Sequence, residues 1–139
     1  MSTGAPRQPG FPAMKTGAVL AGWATDVSLS FVFGALVAAL VAGGGSATPE
    51  EVAARVAATP GLQLATLVVG LGFTGVGGYV AAMLAKERPL AHAAAVGLLS
   101  LVFGVTISVL APSDAPLWYQ ALGLALTVPA AALGGWLRR

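Results

Sequence analysis

Two stretches of this chain, residues 62–85 and 115–137, contain no charged side chain. Two more come close: residues 17–45 carry only Asp26, and residues 89–111 only His92. An α-helix needs about 20 apolar residues to cross the ~30 Å hydrocarbon core of a bilayer. Each run is long enough. Alternation with period two is absent, and lipid forces a spanning chain to close its backbone hydrogen bonds internally, so helices are predicted rather than strands. The spans fall at about 17–42, 62–85, 90–111 and 117–137. The expected fold is all-α, an integral membrane four-helix bundle formed by a single domain over 13–139.

Composition says the same and removes whole classes of chemistry. Only 9% of the 139 residues are charged and 57% are hydrophobic, against roughly 25% charged in a soluble domain. An ordinary soluble globule and a low-hydrophobicity disordered chain are both excluded. With no cysteine there is no disulfide framework, thiolate metal site or cysteine nucleophile, and one histidine builds no histidine cluster. No nucleophile–base set, haem-ligand pair or phosphate-cradling loop outside the membrane is legible. The expectation is a non-enzyme with no cofactor and no metal. The first apolar run outlasts the ~7–15 residues of a signal-peptide core, so it is read as a retained span.

Basic residues orient the spans. Arg7, Lys15, Lys86, Arg88, Arg138 and Arg139 fall on one side, and only Arg55 on the other, with Glu50, Glu51 and Asp114. The positive-inside rule then puts both termini in the cytoplasm. Trp23, Tyr79 and Trp136 are expected at the inner interface, Trp118 and Tyr119 at the outer. The net charge of +2 thus reflects topology, not nucleic-acid binding.

Residues 1–12, rich in Pro and Gly, read as a flexible tail or a docking arm. In the outer loop Thr48-Pro49-Glu50-Glu51 has the form of a capping box with Pro at the first helical position. It opens a short surface helix at about 49–58, which Pro60-Gly61 would stop. Lys86-Glu87-Arg88-Pro89 is a tight inner turn, so the second and third spans should be antiparallel neighbours.

Small residues recur every fourth position in each span, which lets helix backbones approach closely in lipid. The stripes include Gly34 in the first span; Gly70, Thr74 and Gly78 in the second; Gly104 in the third; and Gly135 in the fourth. Leu29–Gly34 also echoes Leu99–Gly104, and Gly77-Gly78-Tyr79 echoes Gly134-Gly135-Trp136. Two tandem helical hairpins of like topology would produce such echoes, and so would chance among Ala/Leu/Gly-rich helices.

Polar groups inside a membrane are expensive, which singles out a few residues. Asp26, flanked by Thr25 and Ser28, is the one acid within a span. It reads either as a proton or cation site or as a carboxyl bonded to hydroxyls across the bundle. His92 lies near the inner end of the third span, within reach of a pairing with Asp26. Pro129 interrupts the fourth span and frees a carbonyl near Ala125, predicting a kink.

Three segments carry a resemblance: Lys15–Gly22 with Asp26, then Gly77–Lys86 with Arg88–His92, then Pro129–Gly135. They resemble recurring elements of small four-span bacterial inner-membrane proteins of uncharacterised function. That resemblance, over about residues 14–137, implies a multi-pass protein of the bacterial cytoplasmic membrane and no particular activity. Small multidrug transporters also have four spans and an essential acid in the first. Here the acid is Asp26, and the aromatic residues that would line a hydrophobic-cation site are sparse in the first three spans. On these grounds the expected function is an accessory or scaffold subunit that binds another membrane protein or itself. The alternative is a proton-linked transporter or channel-like homo-oligomer that uses Asp26.

Overall fold

A computed structural model describes residues 13–113 and 115–139, and the arm expected at 1–12 lies outside the described residues. Those residues form five α-helices and no strand: α1 (Thr16–Ala42), α2 (Pro49–Ala57), α3 (Pro60–Ala85), α4 (Pro89–Leu110) and α5 (Leu117–Trp136). All but α2 are long and apolar enough to cross a membrane.

The helix ends follow from local chemistry. Gly43 takes the left-handed conformation (φ 58°) and returns its N–H to the Leu40 carbonyl, which closes α1. Thr48 accepts from the Glu51 N–H while the Glu51 carboxylate accepts from the Thr48 N–H, a complete capping box at the start of α2. Arg55 on α2 donates to the Val41 carbonyl at the end of α1. Pro60 does not merely stop α2. It is the first residue of α3, where its missing N–H removes one of the donors that a helix start leaves unpaired. Between α3 and α4 the turn is so tight that Lys86 (φ 63°) and Arg88 (φ 50°) both take left-handed backbone.

The four long helices run alternately up and down. Gly22 and Asp26 of α1 meet Gly77 and Thr74 of α3, an antiparallel register. Leu67, Gly75 and Gly78 of α3 meet Gly123, Ala130 and Ala131 of α5 in that order, a parallel register. Helix α4 lies antiparallel to α5, with Gly97 on Val128 and Gly135 on Ala93. Helices α1 and α5 stay on opposite sides, separated by α3 and α4. Lys15, Lys86, Arg88, Arg138 and Arg139 therefore share one end, the basic end, and α2 lies at the other.

Packing is uneven along the helices. The wholly buried residues Ala81, Ala85, Ala93, Val96 and Ala131 all belong to the half nearest the basic end. There the backbones nearly touch. A Cβ on Gly22 would strike the Gly77 carbonyl oxygen, one on Gly78 the Ala131 carbonyl, and one on Gly134 the Gly75 carbonyl. Without a hydrophobic drive between helices in lipid, such closeness supplies the dispersion contacts that hold them. Toward the α2 end the helices part. Phe31, Val32, Leu36 and Leu40 of α1 and Val102, Val109 and Leu110 of α4 all face outward.

Two packing expectations change as a result. Gly34 and Gly70 stand in the parted half, where a Cβ on either would meet nothing within 4 Å. Gly104 is also there and has only the end of Leu124, 3.3 Å from where its Cβ would be. Gly78 and Gly135 do sit at tight crossings, against Ala131 and Ala93. Helix α5 continues unbroken through Pro129, which lies on its outer side facing an apolar groove shared with Leu71, Val76 and Tyr79 of α3.

Candidate functional site

Asp26 marks the level at which the packed half gives way to the parted half. It stands one turn beyond Gly22, and the glycine contact draws α1 so close to α3 that a Cβ on Gly77 would lie 3.0 Å from that of Asp26. The carboxyl is held between α3 and α4 and is 5% exposed. Thr74 Oγ1 donates to Oδ1 at 3.1 Å, and Ser100 Oγ donates to Oδ2 at 2.6 Å. The second distance lies at the short end of the range for O–H···O bonds. Thr74 shares its hydroxyl with the Gly70 carbonyl at 3.3 Å, a longer and divided contact. Both oxygens of the acid are thus met by hydroxyl groups from two other helices.

Beyond the carboxyl the parted helices leave a cavity of about 390 Å³ that reaches the loop between α4 and α5. Hydroxyl and amide groups descend its walls: Gln120 and Tyr119 near the loop, then Thr66, Thr127 and Ser30, with Asp26 at the floor. Phe31, Phe103, Leu71 and Leu124 supply the apolar parts. Among the described lining residues Asp26 is the one that carries charge, and no lysine or arginine faces it. Tyr119 and Thr66 hydroxyls pair at 3.2 Å, which ties α5 to α3 along this wall. The Gln120 amide N–H₂ donates to the Ala115 carbonyl at 2.8 Å and leaves its own carbonyl free to accept. A second space under α2, lined by Val52, Val56 and Phe33, borders Ser30, Thr66 and Tyr119 as well, so α2 roofs the cavity's flank.

His92 lies elsewhere. It is 2% exposed at the basic end; Nε2 accepts the Lys15 backbone N–H at 2.9 Å, and Nδ1 contacts the Arg88 carbonyl at 3.1 Å. Both contacts are satisfied together by the neutral Nδ1–H tautomer. With its two nitrogens occupied, the ring forms no pair with Asp26, and the pairing that lay within reach in the sequence is not made. Its work is to bond an otherwise unpaired N–H at the start of α1 from the neighbouring α4.

The remaining flagged polar residues also separate from the acid. Thr25 returns its hydroxyl to the Ala21 carbonyl of its own helix at 2.8 Å, and Ser28 points outward. Trp23 packs beside the buried Val19, Ala81 and Val96 and edge-on to Phe103 (ring centroids 5.7 Å). Ser100 and Ser30 were missed as members of the acid's surroundings. The echo of Leu29–Gly34 in Leu99–Gly104 held the signal, because it places the two serines at matching positions of helices that run side by side. Among the described residues no three His, Asp or Glu side chains come together to form a metal-binding group.

No family model, no curated protein and no solved structure matches this chain.

Proposed function

We propose that this chain is a multi-pass protein of the bacterial cytoplasmic membrane, a four-helix bundle with both termini cytoplasmic. Its function on this reading is proton-linked binding and passage of a small cation, with Asp26 as the exchanging group. One observation carries the reading: the buried acid Asp26 forms the floor of a cavity whose walls mix hydroxyl-bearing and apolar side chains, and none of the described lining residues is basic. An acid used only to bond helices together needs no such cavity beside it. The six-to-one distribution of Lys and Arg supports the orientation, with the cavity facing outward. Asp26 would release its proton when a cation binds and regain it when the cation leaves.

Reconstitution of the full chain into liposomes holding a pH-sensitive dye tests this. Proton flux down an imposed gradient should be saturable, and Asp26→Asn should reduce it to the level of empty liposomes while leaving assembly intact. Flux that is the same with and without the carboxyl overturns the reading.

An accessory or scaffold subunit remains the second reading, and a separate observation favours it. The half of α1 around Gly34 is open, with Phe31, Val32 and Leu40 each more than two-thirds exposed. A partner helix seated on that face would meet backbone at Gly34. Gentle extraction from native membranes, followed by identification of the components, distinguishes the two. A fixed heteromeric complex supports the subunit role, and particles containing this chain alone support the transporter.

A further inference from the structure

We propose that the cavity above Asp26 takes a small organic ammonium ion with an apolar body, rather than a bare metal cation. This rests on the reading of Asp26 as a cation-exchanging group and names the ligand class. Three observations set it.

The first is charge. The described lining residues present one carboxylate and no compensating cation. On the reading above Asp26 gives up its proton as the guest arrives; a neutral or anionic guest would then leave the carboxylate without a countercharge, whereas a single ammonium head matches it.

The second is size. A dry cavity of ~150 Å³ accepts a benzene ring. At about 390 Å³ this one has room for a ring, a short chain and a head group. A bare metal cation would use only the oxygens at the floor and leave the rest of this space, with its apolar walls, unfilled.

The third is the distribution of wall chemistry. The acid and its two hydroxyl donors lie at the floor, and Phe31, Phe103, Leu71 and Leu124 flank the middle. An ammonium N–H would donate to Asp26, and the body would lie against the apolar side chains of Phe103, Leu71 and Leu124. Toward the loop, the unpaired Gln120 carbonyl offers an acceptor to a polar tail.

The test uses the full chain in lipid nanodiscs, with heat of binding measured against empty nanodiscs. The probes are 2-phenylethylamine, its neutral analogue 2-phenylethanol, and sodium chloride. The amine should bind saturably, the alcohol about tenfold more weakly or worse, and Asp26→Asn should abolish the difference. Gly70→Leu gives a second variant. Gly70 lines the cavity, and a Cβ there meets nothing within 4 Å, so the added side chain occupies the space and leaves the hydroxyls on Asp26 in place. It should also weaken the amine about tenfold. Equal binding of amine and alcohol overturns the proposal, as does an amine preference that survives both substitutions. Sodium that saturates the site in preference to the amine overturns it too. Asp26-dependent proton flux without amine binding would defeat the ligand class and leave the functional reading standing. Amine binding without flux would do the reverse.

Discussion

Gly22 of α1 and Gly77 of α3 face each other so closely that a side chain on either would strike the other's carbonyl oxygen. This contact does more than hold two helices. Asp26 stands one turn further along α1, and its carboxyl reaches Thr74 and Ser100 because the glycines let α1 settle that deeply. Site and packing therefore share one cause.

Replacing either glycine with alanine should be costly. The added methyl meets backbone, which has no rotamer to escape into, and overpacking of this kind costs roughly 1–3 kcal/mol. Gly22→Ala and Gly77→Ala should each lower the midpoint of thermal unfolding in detergent. Gly34→Ala, made where nothing lies within 4 Å, should leave that midpoint unchanged. Equal effects at all three positions would contradict the uneven packing described above.

The two hydroxyls on Asp26 should prove unequal. Ser100 donates at 2.6 Å and Thr74 at 3.1 Å, the latter sharing its hydroxyl with the Gly70 carbonyl. Ser100→Ala should destabilise by roughly 1–3 kcal/mol, the range for leaving a buried polar group without its partner, and Thr74→Val by less. Double-mutant cycles with Asp26→Asn would measure the coupling directly. A larger coupling for Thr74 than for Ser100 would count against this geometry.

His92 should behave as a structural staple. His92→Ala leaves the Lys15 N–H without its acceptor and opens a gap among buried neighbours. It should destabilise the protein by roughly 1–3 kcal/mol while amine binding at Asp26 persists in the folded fraction. His92→Gln, which keeps an acceptor on a side chain of similar reach, should recover part of the loss. If His92→Ala instead abolished ligand binding without loss of stability, the ring would belong to the site.

The positions of the four long helices were legible because hydropathy and the Pro and Gly residues at their ends point the same way; observed and expected ends differ by at most two residues. The capping box at Thr48 and Glu51 was equally clear, since it depends on four adjacent residues. Close packing was less legible. A stripe of every fourth residue describes one face per helix, but α3 packs on several neighbours and uses Gly77 against α1 and Gly75 and Gly78 against α5. Gly34 and Gly70 belong to good stripes and still meet nothing, because the helices diverge there. Asp26 was conspicuous from its charge alone. Its partners were not, since hydroxyls on α3 and α4 reach it only through a register that the sequence does not print.

The difference between the two halves of the helices also has an electrical meaning. From the start of α1 at Thr16 to Asp26 is ten residues, about 15 Å of helix, and over this distance the helices meet in backbone contact at glycine and alanine. The other half is hollow. On the orientation proposed above, with the cavity facing outward, aqueous contact from that side would bring the external potential almost to the carboxylate. Nearly the whole membrane voltage would then fall across the alanine–glycine half, at about 2.3 kcal/mol per elementary charge for each 100 mV. A cation would reach Asp26 from outside with little electrical work and would do its work against the field only on the inward side of that residue.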